Sequence, residues 1–321
     1  LADINTAFVL GAGLGTRLLP LTERRPKPLV PVFNKPLITF GLDHLLDAGI
    51  RKMIINTHHA AEAYPRILGG TAMVSEYAGH ALFLRHEPQL LDTGGGIKNI
   101  RDFTGDQPFL VYNGDILTDV PLEPLIQAHL ESGNVATLLL RSAGGPAQVQ
   151  WNAASGLVED IRQHFGNSVC PSFLFSGIHA FSPEIFSWFP EDDVFSIFPV
   201  WLRLIEAGRL GGVLADGGLW HDLGQRDAYL KAHEVLARLH FQMAYPMHWP
   251  LERIADGVEL PADCRMDEFS ALGAGCRVGS GATLIRSILW PGAEIASGAH
   301  LDHCIVRDGM IAAGRLENTD L

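Results

Sequence analysis

Between positions 278 and 309 the chain repeats itself at an offset of 17 residues. Val278 matches Ile295, Ser280-Gly281-Ala282 matches Ser297-Gly298-Ala299, and Leu284 matches Leu301. Ile288-Leu289 matches Ile305-Val306, and Gly292 matches Gly309. A spacing near three sixes suits a three-sided parallel β-helix, in which each coil stacks short apolar positions on the next. Two glycine-rich β-hairpins would supply similar turns, and both readings stand at this level. About two or three coils fit, so the element is an appendage for packing or self-association.

The residues before this repeat follow a different grammar. Thr6 to Leu10 is a short apolar β-rich run, and Pro36 to Ala48 carries Leu37, Phe40, Leu42, Leu45 and Leu46 as a helical stripe ending at Gly49. Further strands are expected at Met53 to Asn56, Ala81 to Leu84, Phe109 to Tyr112 and Val135 to Leu140. The last three are nearly all apolar, as strands covered on both faces should be. A strand is expected from about 173, a helix start at Ser182-Pro183-Glu184, and helices over Trp201 to Ala207 and Asp222 to Tyr245. The pattern predicts an α/β protein with a Rossmann-like, mostly parallel (mixed) sheet flanked by helices. The expected division is a catalytic domain over 1–250 and the β-helix over 251–321.

Charge narrows the function. Lys+Arg 24 against Asp+Glu 36 gives a formal charge of -12, and no basic run of five or more residues occurs. A nucleic-acid partner is therefore not expected, while a small polyanion remains compatible with a local basic cluster. Cys170, Cys264, Cys276 and Cys304 form no CxxC pair and read as reduced, mostly buried thiols. No run of eighteen apolar residues is present and the first residues lead into a strand, so neither a membrane partner nor a signal peptide is expected. The expected location is cytoplasmic.

Gly11-Ala12-Gly13-Leu14-Gly15-Thr16-Arg17 follows the first strand directly. Glycines at such a junction let backbone N–H groups approach a phosphate or a base. The GxGxG order is neither the dinucleotide fingerprint nor a Walker A motif. Arg17, Arg24, Arg25 and Lys27 follow, with Pro20, Pro26 and Pro28 stiffening an ordered loop. A fork of guanidinium donors and a compact ammonium beside a glycine turn would suit a triphosphate; an ordinary solvated basic loop is the alternative.

The segment GAGLGTRLLPLTERRPKPLVPVFNKPLI resembles the signature of the sugar-1-phosphate nucleotidyltransferases. The resemblance continues through LLDTGGGI, VYNGDI, FSGI and GLWHDLG to the C-terminal repeat, which in many members is a short left-handed β-helix. It implies synthesis of an NDP-sugar and pyrophosphate from an NTP and a sugar 1-phosphate. Mannose 1-phosphate with GTP is favoured; N-acetylmuramate or glucose 1-phosphate with UTP is an alternative, as is a regulatory homologue that binds a nucleotide sugar without turnover. Homo-oligomers through the β-helix are an expectation too.

The same resemblance distributes roles. Arg17 would hold the β- and γ-phosphates, Lys27 the α-phosphoryl oxygens, and Asp115 and Asp222 a Mg²⁺ ion. Nucleotide contacts are expected from Gly11, Ala12, Gly13, Gly15, Thr16, Thr93, Gly94, Gly95 and Asn113, and sugar contacts from Gly177 and Glu159. No lysine lies between Ile100 and Leu230, so the lysine that many members use as a phosphate clamp is missing, and Arg162 is its expected replacement. Asp102, Asp106 and Asp119 read as structural loop aspartates, and His221 lacks companions at zinc spacing.

Overall fold

A computed structural model describes residues 4–166 and 169–321. The strands of the first two thirds are β1 (Thr6–Leu10), β2 (Pro31–Val32), β3 (Lys35–Pro36), β4 (Lys52–Thr57), β5 (Val74–Tyr77), β6 (His80–His86) and β7 (Phe109–Asn113). They continue as β8 (Ile116–Thr118), β9 (Ala136–Arg141), β10 (Val149–Asn152), β11 (Leu157–Ile161), β12 (Ser172–Phe181), β13 (Leu210–Leu214) and β14 (Trp220–Asp222). The α-helices are α1 (Leu37–Asp47), α2 (Ala63–Leu68), α3 (Asp92–Lys98), α4 (Arg101–Thr104), α5 (Glu123–Ser132), α6 (Phe198–Glu206) and α7 (Arg226–Arg238). The chain divides into two compact units, one of residues 1–13 and 41–220, the other of residues 14–40 and 221–321.

In the first unit the described residues form a ten-stranded sheet in the order β10-β11-β13-β9-β12-β7-β1-β4-β6-β5. Its heart, β7-β1-β4-β6, is parallel, with Phe8 opposite both Ile54 and Val111. The strands beyond it are not mostly parallel as expected: β12 runs antiparallel to both β7 and β9, and β5, β10 and β11 pair antiparallel as well. The apolar runs announced burial on two faces, and burial is indifferent to strand direction. All six residues of β9 are buried, and Phe8, Phe109, Phe181 and Leu204 share one core with its Ala136, Leu138 and Leu140. Removing each such side chain from water contributes about 1.5–3 kcal/mol.

Helix ends also differ from expectation. α6 begins at Phe198 because Pro199 sits in its first turn, where a missing N–H costs nothing. α7 ends at Arg238, well before Tyr245, and His240 and Phe241 leave it with φ of 54° and 60°. Its start moves from Asp222 to Arg226, since Asp222 belongs to β14.

The second unit contains the repeat as three stacks of short strands. Thr283–Ile285 pairs parallel with His300–Asp302, and that strand with Arg315–Glu317. Ala271–Leu272, Ile288–Leu289 and Ile305–Val306 form a second parallel stack; Arg277–Val278, Glu294–Ile295 and Ile311–Ala312 form the third. The 17-residue matches fall in register: Val278 faces Ile295, Leu284 faces Leu301 and Leu289 faces Val306. Parallel stacking rules out hairpins and fits a β-helix, with Gly275, Gly292 and Gly309 near φ 70° at equivalent turns. Leu284, Ile295, Leu301 and Val306 fill its core.

Candidate functional site

In the first unit, the turn after β1 is built from behind. Gly11 N–H donates to Asn56 Oδ1 at 2.7 Å, and Ala12 N–H donates to the same oxygen at 3.3 Å. Tyr64 Oη donates to the Gly11 carbonyl at 2.8 Å. A Cβ on Gly11 would stand 2.6 Å from Tyr64 Oη, so packing alone demands glycine there. The Gly11 and Ala12 amides, in a loop expected to approach a phosphate or a base, are thus engaged by a carboxamide. Gly13, by contrast, is exposed, and a Cβ there would meet open space.

Asn56 is in turn oriented by Glu87, whose Oε1 accepts from Asn56 Nδ2 at 2.8 Å. Glu87 Oε2 accepts from Leu91 N–H at 3.2 Å, which ties this pair to the start of α3. Burial pushes the Glu87 carboxyl up, opposed by the hydrogen bond from Asn56. Sequence reading overlooked both residues. Their signal was position: a carboxamide and a carboxylate at the carboxyl ends of neighbouring parallel strands, where open sheets place ligand-directed groups.

In sequence, LLDTGGGI reads as a glycine turn permitting close approach before a helix near Ile97; the glycine run at 94–96 lies inside α3. Gly94 and Gly95 N–H donate to the Phe195 carbonyl at 2.9 and 3.0 Å. A Cβ would stand 2.4 Å from Phe195 Cε2 at Gly94 and 2.1 Å from the Asp193 carbonyl oxygen at Gly95. Thr93 Oγ1 accepts from Ile197 N–H at 3.0 Å. Close approach is the reason for these glycines, as expected, but the group approaching is the 193–197 segment of the protein.

Asn113 and Gly177 do meet. A bulge in β12 between Phe175 and His179 gives Gly177 a φ of 87°, and a Cβ there would stand 2.9 Å from Asn113 Nδ2. Asp115 follows at the end of β7, half-buried. Tyr64 is pushed up mainly by burial and further by the Asp115 charge, which places that carboxylate within electrostatic reach of the Gly11 turn. Asp119 accepts from Leu219 N–H, and Arg85 donates to Asp102, which lowers that carboxyl. Glu159 accepts from Asn152 Nδ2 at 2.8 Å, and Arg162 donates to Gln148 Oε1 at 3.2 Å with its guanidinium 5.0 Å from the Phe198 ring. Those partners hold both side chains along the β10–β11 flank.

The second unit gathers the charged residues. Gly15 takes φ 63°, and its carbonyl accepts from Thr22 Oγ1 at 2.9 Å. Leu18 N–H donates to the same carbonyl at 2.9 Å and closes a short 3-10 turn over Thr16–Leu18, with Thr16 and Arg17 exposed. A second turn, Lys27–Leu29, sets Lys27 at 5% exposure. Lys27 Nζ reaches Asp222 Oδ1 at 3.3 Å. A Cβ on Gly224 would stand 2.8 Å from Arg17 Nη2 and 3.0 Å from Asp222 Oδ1. Arg17, Lys27 and Asp222 therefore converge on the space that glycine keeps clear. A buried lysine and an exposed arginine beside one half-exposed carboxylate can take up phosphate oxygens and a hard cation together.

Asp115 and Asp222 offer the oxygen donors magnesium prefers. Among the described residues no cluster of three or more His, Cys, Asp or Glu is arranged to hold a metal; magnesium in phosphate enzymes needs only one or two carboxylates beside the substrate's oxygens.

The nucleotidyl transferase family model matches residues 6–238. The chain is 28% identical to a probable mannose-1-phosphate guanylyltransferase 2 of Arabidopsis thaliana over 95% of this chain and 82% of that protein. It is 34% identical to an N-acetylmuramate alpha-1-phosphate uridylyltransferase of Caulobacter vibrioides, over 72% of this chain and 96% of that protein. A UTP--glucose-1-phosphate uridylyltransferase of Synechocystis is 25% identical over 94% of this chain and 82% of its own. With the signature loop, its converging cations and these matches in hand, the chain belongs to the nucleotidyl transferase family, among the sugar-1-phosphate nucleotidyltransferases.

Proposed function

We propose that the protein joins an NTP to a sugar 1-phosphate, releasing pyrophosphate, with GTP and mannose 1-phosphate the favoured pair. The observation that carries the reading is the convergence of Arg17, Lys27 and Asp222 beside Gly224. A sugar phosphate is already anionic at neutral pH, so no side-chain nucleophile is needed, and alignment with charge neutralisation is what the protein must supply. Arg17 binds the β- and γ-phosphates and follows the charge onto leaving pyrophosphate. Lys27, anchored by burial, neutralises the α-phosphoryl oxygens as the attacking oxygen approaches in line. Asp115 and Asp222 are the proposed magnesium carboxylates; the ion, when bound, screens the repulsion between the two phosphates.

Gly13, Gly15 and Thr16 contact the nucleotide directly in this reading. Gly11, Ala12, Thr93, Gly94 and Gly95 shape its pocket, Asn113 is a further nucleotide contact, and Gly177, which Asn113 touches, lines the sugar side. Glu159 and Arg162 remain candidates for the sugar ring and its phosphate. The functional division is a catalytic part over 1–250 and a left-handed β-helix over 251–321, which also offers a surface for homo-oligomers. Among the described residues no helix is long and apolar enough to cross a membrane; a cytoplasmic location without membrane or nucleic-acid partners is part of the proposal.

Mannose 1-phosphate is favoured because similarity to the Arabidopsis protein spans 95% of this chain, β-helix included. A uridylyltransferase acting on N-acetylmuramate 1-phosphate is the second reading, supported by 34% identity, but the match of 243 residues takes up 96% of the Caulobacter protein. That match covers 72% of this chain, against 95% for the Arabidopsis protein. Pyrophosphate release measured for four NTPs against mannose, glucose and N-acetylmuramate 1-phosphates decides between them. GTP with mannose 1-phosphate should give the highest kcat/KM; preference for UTP with N-acetylmuramate 1-phosphate would replace the first reading with the second.

A further inference from the structure

The signature loop is tied to one turn of the β-helix. Arg25 Nη2 donates to both oxygens of Asp308 at 2.8 Å, and its guanidinium lies 5.1 Å from the Trp290 ring centre. Next to Asp308, Arg307 Nη1 donates to the Pro20 carbonyl at 3.0 Å and to Glu23 Oε2 at 2.8 Å, while its Nε donates to the Leu321 carbonyl at 2.8 Å. Trp290 Nε1 donates to Tyr229 Oη at 3.1 Å, and that hydroxyl donates to the Pro31 carbonyl. Two consecutive β-helix residues thus grip the loop at positions 20, 23 and 25, more than 280 positions away in sequence.

The grip falls where the loop needs it. Local hydrogen bonds close one turn over residues 15–23, through Leu18 to Gly15, Leu21 to Leu18 and Glu23 to Pro20. Others close a second over 26–30, through Leu29 to Pro26 and Val30 to Lys27. Arg17 rides on the first turn and Lys27 on the second. Between the turns, Gly15 packs against the Lys27 side chain and Arg25 Nη1 donates to the Leu29 carbonyl at 3.4 Å; the ties at Pro20, Glu23 and Arg25 add a hold from the β-helix on this arrangement. The Arg25 side chain is 11% exposed, and its Nη2 alone reaches both Asp308 oxygens in a charge-assisted contact.

We infer that Arg307 and Asp308 of the β-helix are positioning residues for nucleotidyl transfer, holding Arg17 and Lys27 at the spacing a triphosphate requires. The inference rests on the roles proposed above for those two cations. It makes the β-helix part of the catalytic apparatus, beyond its service as an appendage.

The test compares wild type with Asp308→Ala, Asp308→Asn and a control, Arg277→Ala. Arg277 pairs with Glu294 on another stack of the same β-helix and is largely exposed. Pyrophosphate-release kinetics give KM for the nucleotide and kcat, and hydrogen exchange reports on the amides of residues 16–30. Asp308→Ala should raise nucleotide KM about ten-fold and speed exchange over 16–30, with Asp308→Asn shifting both in the same direction by less and Arg277→Ala moving neither. Asn keeps the shape of the turn, so the claim remains testable if the alanine variant does not fold. Unchanged kinetics in the Asp308 variants overturn the inference, whatever exchange does, and so does an equal loss in Arg277→Ala. A wild type that releases no pyrophosphate with any substrate pair overturns the functional reading itself, and the inference with it.

Discussion

The two halves of the signature segment solve different problems. At Gly11 and Ala12 the backbone donors are taken by Asn56, and the space a side chain would need is filled by Tyr64. From Gly13 to Arg17 the backbone is largely exposed and two cations, Arg17 and Lys27, gather beside Asp222. The 93–95 stretch repeats the first pattern, the Gly94 and Gly95 amides and the Thr93 hydroxyl consumed by residues 193–197. Glycine in a ligand-binding motif therefore marks a close approach without saying what approaches. One half of the signature is saturated scaffold and the other carries the charge.

The comparison makes opposite demands on the two sets of residues. On the charged side, Arg17→Ala should lower kcat/KM by several orders of magnitude, since a transition-state charge loses its partner, and leave thermal unfolding nearly unchanged because Arg17 is exposed. Asp115→Asn should cripple magnesium-dependent turnover, read as pyrophosphate release across a magnesium titration; a full rate in excess EDTA would remove the metal from the account. On the saturated side the loss should fall on stability. Gly95→Ala forces a Cβ to within 2.1 Å of a backbone oxygen, and a cost of about 1–3 kcal/mol is expected from urea unfolding. Asn56→Ala leaves two buried N–H groups and Glu87 without their partner, with an expected cost of about 1–3 kcal/mol. A stable Gly95→Ala protein with impaired nucleotide affinity would reverse the assignment of that stretch.

The smallest effect concerns pH. Burial lowers His44, His129 and His233 to about 4 and His179 to about 3, from an ordinary value of 6.5. These imidazoles stay neutral in the folded protein, while the unfolded chain takes up protons below about pH 6.5. Stability should be fully present above that value and fall as pH drops towards 4. His179 packs among Phe175, Phe181 and Trp201, and neither ring nitrogen has a hydrogen-bond partner among the described residues. His179→Phe should therefore flatten part of the acid limb in unfolding measured at pH 5 and pH 7.

Much of this was legible in the sequence, and the reason differs by region. The β-helix register could be read residue by residue because stacked coils must superpose like side chains, so Leu284 over Leu301 is a repeat in sequence and in space. The parallel heart of the sheet was legible from its apolar runs. β12's antiparallel insertion was not, because a strand buried on both faces has the same composition in either direction. Arg17 and Lys27 announced themselves by charge among glycines and prolines, whereas Asp222 stood out through the family resemblance. Asn56 and Glu87 did not, since a polar residue closing a strand looks the same whether it holds a turn or faces solvent. The glycine run inside α3 was misplaced because glycine disfavours a helix, and the tertiary contact with residues 193–197 that overrides this preference lies a hundred positions downstream.

The most direct measurement is pyrophosphate release by wild type and Arg17→Ala side by side, with magnesium, GTP and mannose 1-phosphate, on protein whose unfolding profiles coincide. Rapid release by the wild type, reduced by several orders in the variant, is the predicted result. Turnover in Arg17→Ala close to wild type would contradict the account, because the loop's charge would then have no part in the chemistry.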